Sequence, residues 1–262
     1  MEEDTRLEAE GELALARLAI DSGELEHAAS HLANAFSINP GLPDALLALQ
    51  QLAGGAADPR RLFPIEGDSA FSGAMIAQAH LLSWAESYDD AVELLASTAA
   101  GLARAGQPQL QWEGVRWLED EQLPARLDPD RFTPVFVRLA LALADPTPEG
   151  QRPPFITFLR LARGMVAAHA DHPQVLISAS MLARRLGATA EALAWSSRAE
   201  ELAPSFASAL TLGFAHLHLD QLDEAVGAWR KAMARDPSNL ELPVQLAWEL
   251  AARGRLEDAL AF

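Results

Sequence analysis

The sequence predicts an all-α solenoid of stacked helical hairpins, and three observations predict it. The first is self-similarity: Leu212 recurs as Leu246, Leu222 as Leu256 and Ala225 as Ala259, each 34 residues later. A period of this length marks repeat units that bury their apolar faces only by stacking on one another. The second is punctuation. Gly23, Gly187 and Gly254 recur where a first helix must end, and glycine tolerates the left-handed backbone of that cap. Asp220 holds the equivalent place in another copy, at some steric cost. The third is composition: 50% hydrophobic but only 6% aromatic, which suits helices packed through Ala and Leu.

In chain order, the first unit runs from Ala9 to Leu42, with Leu15, Gly23, Leu25, Ala28, Leu32, Ala35 and Pro40 at its landmarks. Pro43–Ala53 reads as a helix without a clean partner, followed by an insertion over 54–69 rich in Gly, Pro, Asp and Arg. Ser72–Ala105 reads as a degenerate copy, with Leu82, Tyr88, Ala91 and Leu95 in place. Residues 107–127 carry Trp112, Trp117 and an acidic run; the tryptophans are read as plugs of a break in the solenoid, with a ligand contact as the alternative. Helices resume at Pro129–Ala144, capped by Asp128 with Pro129 in the first turn, and at Pro154–Ala170. That pair is expected to form a divergent hairpin across a Pro-rich connection. In the C-terminal copies Gly187, Ala192, Ala199 and Pro204 precede Asp220, Ala225, Ala232 and Pro237 by 33 residues each. The expected organisation is therefore repeats over 1–105, a divergent hairpin with insertions over 106–172, and repeats over 173–262, the last cut short at Phe262.

Phe206 to Asn239 resembles the tetratricopeptide repeat (TPR) family. Leu212-Gly213, His216, Ala225, Trp229, Ala232 and Pro237 parallel the family's Leu-Gly, Tyr, Ala, aromatic, Ala and Pro, with His216 in place of the usual tyrosine. Gly213, Ala225 and Ala232 let two antiparallel helices approach closely, Trp229 and Leu222 fill the gap to the neighbouring units, and Asp236-Pro237 ends the second helix. The resemblance implies a right-handed superhelix with a divergent middle section. It also implies a non-catalytic scaffold or adaptor whose first helices line a concave groove.

Carried over position by position, that groove face is Gln174, Ile177, Met181 and Arg184, then Ala207, Leu210, Phe214 and His218, then Glu241, Val244 and Trp248. Spacings of three and four put each set on one helix face. An apolar stripe there points to a partner helix or extended peptide with apolar anchors. The competing reading packs Leu210 and Phe214 against the preceding unit and Trp248 on a helix outside this chain. The carboxylate grip of some TPR proteins, built from Lys, Asn and Arg, is not expected, because Leu13, Arg17, Ile177, Met181, Leu210 and Phe214 stand at those places.

Charge narrows the partners. The net charge is −17, and residues 1–131 hold 23 acidic against 8 basic side chains. Phosphate backbones and anionic membranes are bound with Lys and Arg, so neither nucleic acid nor membrane is expected. The acidic half is read as a solvating surface, or as one that steers a basic partner. A homodimer through the exposed C-terminal repeat is one alternative; a recognition module of a longer enzyme, such as a transferase continuing past residue 262, is another. Cysteine is absent, so no disulfide or thiolate site exists. Met1-Glu2-Glu3-Asp4 lacks the positive charge of a secretory signal, and Arg17 breaks the apolar run Leu13–Ile20, so a cytoplasmic protein is expected. Lys231 is the single lysine, a bias that points to a GC-rich bacterial genome.

Catalytic motifs are weak. Gly67-Asp68-Ser69 matches a nucleophile block of an α/β esterase family without its other blocks, and is read as the cap of a helix starting near Ala70. His27 and His31 lie four apart on a helix and could bridge a metal, but with no third ligand evident they are read as surface histidines. His169 and His172 flank a helix end, where histidine suits the dipole. No phosphate loop, zinc-protease motif or catalytic triad is recognisable, so no enzyme activity, cofactor or metal is expected.

Overall fold

Turns that close one hairpin after another set the architecture, and they share one backbone device. In the computed structural model, which describes residues 2–65, 71–107, 110–239 and 241–260, the helices are α1 (Glu2–Asp21), α2 (Leu25–Ile38), α3 (Pro43–Gly55), α4 (Ser72–Trp84), α5 (Tyr88–Arg104), α6 (Leu123–Arg126) and α7 (Pro129–Ala142). They continue as α8 (Ile156–Ala168), α9 (Pro173–Arg185), α10 (Thr189–Leu202), α11 (Phe206–His218), α12 (Leu222–Arg235), α13 (Glu241–Ala252) and α14 (Leu256–Ala259). No strand occurs among the described residues. The Gly67-Asp68-Ser69 cap and the end at Phe262 lie outside them.

Between α1 and α2, α9 and α10, and α13 and α14, the turn residue is Gly23, Gly187 or Gly254, at φ 76°, 82° and 76°. The residue after each glycine donates its N–H back to the last turn of the first helix: Glu24 to Ala19 O at 2.9 Å, Ala188 to Ala183 O at 2.8 Å, Arg255 to Leu250 O at 2.9 Å. This bond satisfies a carbonyl that the helix end would otherwise orphan. Asp220 and Glu86 adopt the same conformation at φ 59° between α11 and α12 and between α4 and α5. Both are left-handed without being glycine, a strain that the hairpin packing sustains.

The solenoid expected from the sequence is present: α1/α2, α4/α5, α9/α10, α11/α12 and α13/α14 pack as consecutive pairs. Small residues permit close approach at the seams. A Cβ on Gly73 would fall 1.7 Å from Ala33 O, so α4 lies almost in backbone contact with α2. α3, read over Pro43–Ala53 as a helix without a clean partner, packs on α1 and α2.

The middle section departs from the expected hairpin. α7 does not fold back with α8; it lies between α5 and α9, while α8 packs on α9 and α6. Ion pairs and hydrogen bonds show that α5, α7 and α9 run in the same direction. Asp128 N–H donates to Asp89 Oδ1 at 3.0 Å and Arg138 to Ser97 Oγ at 2.9 Å. His172 meets Asp130 at 3.2 Å at the starts of α9 and α7, and Arg185 donates to Leu143 O at their ends. The physical reason is that the α7–α8 connection is held by the C-terminal end of α9: Arg184 binds Asp145 there, and Thr147 N–H donates to Arg185 O at 2.8 Å.

Residues 110–127 place their two tryptophans against α8 and α4. Trp112 is buried and meets Phe158 edge-on at 5.6 Å between ring centroids. Trp117 donates its indole N–H to His80 Nδ1 at 3.0 Å, and His80 Nε2 donates to Pro40 O at 2.9 Å. Trp112 is thus part of the core, and Trp117 packs at its edge. Asp128 caps α7 by accepting from Asp130 N–H, with Pro129 in the first turn.

Candidate partner-binding groove

Helix periodicity brings one face of each of α9 and α11 into a shared hollow. Ile177 and Met181 of α9 and Ala207, Leu210 and Phe214 of α11 line a cavity of about 700 Å³. Ile177 is buried, Met181, Leu210 and Phe214 are partly buried, and Ala207 is exposed. Phe214 is fixed from below by Trp229 of α12, edge-on at 5.4 Å. It therefore both packs on its own hairpin and faces the cavity.

Polar chemistry closes one wall. Arg184 is buried, its guanidinium 5.0 Å from the Phe214 ring centroid and hydrogen-bonded to Asp145. His218 Nε2 donates to the other Asp145 oxygen at 3.0 Å and lies 3.1 Å from Arg184 Nη1. Arg185 stands 3.7 Å from the same carboxylate. Burial alone would raise the Asp145 pKa; the His218 hydrogen bond and the Arg184 and Arg185 charges outweigh it and hold the carboxyl well below the usual range. Burial lowers the Arg185 pKa, against the pull of Asp145. Arg184 Nε and Arg185 Nε find no hydrogen-bond partner among the described residues. The wall is thus a charge-paired cluster around Asp145 that keeps two unpartnered guanidinium N–H groups, set against the apolar floor of Ile177, Met181, Leu210 and Phe214.

Of the residues predicted from sequence, Ile177, Met181, Arg184, Leu210, Phe214 and His218 are gathered around this cavity. Gln174 is exposed outside it. Val244 and Trp248 of α13 are also outside its lining, 71% and 72% exposed. Sequence reasoning did not find Leu141, Asp145, Pro146, Arg185, Phe206, Glu249 or Arg253, which also line it. Asp145-Pro146 sits in a connection that read as a spacer. Its one legible signal was the adjacent pair Arg184-Arg185 at a helix end, a concentration of charge that needs a counter-ion.

The fold and the groove define a helical-hairpin repeat protein with a concave, apolar-floored cavity. No family model and no curated relative matches the chain. Among solved structures, it is similar to a crystal structure of a thermophilic TPR protein from Thermus thermophilus, with 18% identity over 93% of this chain and 99% of that one and a TM-score of 0.40. The architecture itself rests on the pairing of the helices. No helix of the described residues is long and apolar enough to cross a membrane.

Proposed function

We propose that this protein is a non-catalytic scaffold that holds an apolar-anchored segment of a partner protein, a helix or extended peptide, in the groove lined by α9 and α11. The cavity carries the reading: its volume of about 700 Å³ accommodates more than one large side chain, and its floor is Ile177, Met181, Leu210 and Phe214. Met adapts to irregular surfaces, and apolar groups in a concave site gain most from desolvation. Val244 and Trp248 extend the apolar surface along α13, where an exposed tryptophan is a common interface anchor. The net charge of −17 argues against a nucleic-acid backbone as the ligand.

The test is a lysate pull-down with the parent chain and with Ala207→Arg and Trp248→Asp, each checked for helicity by circular dichroism. Ala207 and Trp248 are exposed, so neither change disturbs the core. A partner kept by the parent and lost by Ala207→Arg supports the cavity; loss only in Trp248→Asp moves the site to α13. Equal capture by all three overturns the reading. Light scattering across a concentration series separates self-association through α13 from capture of another protein.

A further inference from the structure

The first hairpin carries a second site, independent of the groove. His27 and His31 lie one turn apart on α2, and the helix brings their ring nitrogens together: His31 Nε2 is 3.3 Å from His27 Nε2, with the rings edge-on at 4.6 Å between centroids. From α1, Glu12 Oε2 stands 2.7 Å from His31 Nδ1 and also accepts from Asn34 Nδ2 at 3.2 Å. A carboxylate at Nδ1 draws a proton to that nitrogen, so neutral His31 presents a lone pair at Nε2. This is the outer-sphere arrangement that orients and strengthens an imidazole donor toward a metal.

The spacing fits a cation. Two nitrogens each ~2.05 Å from one ion and 3.3 Å apart subtend about 107° at it, close to the tetrahedral angle. We propose that His27 and His31 form a surface chelate for a late first-row divalent cation of the zinc, nickel and copper class, with Glu12 as the positioning residue. Among the described residues no group of three or more His, Cys, Asp and Glu is arranged to hold a metal. The protein therefore supplies two donors, and water completes the shell of an open, exchangeable site. Imidazole donors favour these cations over magnesium and calcium, which take oxygen ligands. Binding replaces the direct contact between the two Nε2 atoms with one bond from each to the ion. It also favours the folded hairpin by mass action, because one member of the chelating pair, His31, is held by Glu12 of α1.

Titration of the untagged full-length chain with zinc or nickel chloride at neutral pH, followed by calorimetry and thermal melting, tests this. The expected result is one saturable equivalent, a raised Tm and no response to magnesium. His27 is exposed, so His27→Gln keeps the fold, confirmed by circular dichroism, and lowers the affinity at least ~10-fold. Glu12→Gln retains the single equivalent with ~10–100-fold weaker binding, the usual cost of losing an outer-sphere partner. The absence of saturable binding by the parent overturns the proposal, and so does undiminished binding by His27→Gln.

Discussion

A Cβ built on Gly213 of α11 would lie 2.2 Å from Nε1 of Trp229 on α12, and Trp229 is completely buried. The glycine is the space into which the indole packs. Phe214, the next residue, meets the same indole edge-on, so one contact joins the hairpin interior to the cavity floor.

Gly213→Ala is expected to destabilise the protein. Overpacking costs ~1–3 kcal/mol, and better helix propensity returns ~1 kcal/mol of it. A net loss of up to ~2 kcal/mol follows in urea unfolding. Pairing it with Trp229→Phe should give a total smaller than the sum of the two single losses, because the smaller ring vacates the space. A Gly213→Ala protein ~1 kcal/mol more stable than the parent, the gain that helix propensity alone would give, refutes the close contact.

Asp145→Asn tests the cavity wall. Its charge balances buried Arg184, and removing one partner of a buried pair costs ~3–5 kcal/mol. Arg184→Met in the same chain should recover a large part of that loss in a double-mutant cycle. The sign with pH follows from the depressed carboxyl: its contribution is present above the unfolded value and is lost as pH falls through the lower folded one, in the acid range. Additive single losses would show that the pair is uncoupled.

His80 acts at higher pH. Burial lowers its pKa from 6.5 to about 4, against the raising effect of its hydrogen bond to Pro40 O. Across that window the unfolded chain binds the proton and the folded chain does not, so stability falls as pH drops from 6.5 to 4. The loss reaches ~3 kcal/mol at most, since each pH unit crossed in that window contributes ~1.4 kcal/mol. Urea midpoints measured at intervals through the window should show this slope, and a folded His80→Asn variant should flatten it. An unchanged slope in that variant assigns the effect to other groups.

The groove was legible in part. Ile177 and Met181, or Leu210 and Phe214, reach one face of a helix through spacing alone, and that spacing is a property of the chain. The clusters were not legible. Asp145 sits in a proline-rich connection, and only the stacking of α5, α7 and α9 carries it to Arg184 and His218. Likewise nothing near His27 and His31 in sequence announces Glu12; the antiparallel return of α2 along α1 brings it.

What the sequence determined by itself was local: glycine at the hairpin caps, proline at helix ends, and apolar residues at helical period. These follow from backbone sterics and 3.6-residue geometry, which each short segment obeys without its neighbours. Only the tertiary structure decided that α7 lies between α5 and α9 instead of against α8, that Trp112 packs on Phe158 and Trp117 on His80, and which charges meet at the cavity wall. Those outcomes depend on burying tryptophan and pairing desolvated arginine, and burial is a property of the assembled stack.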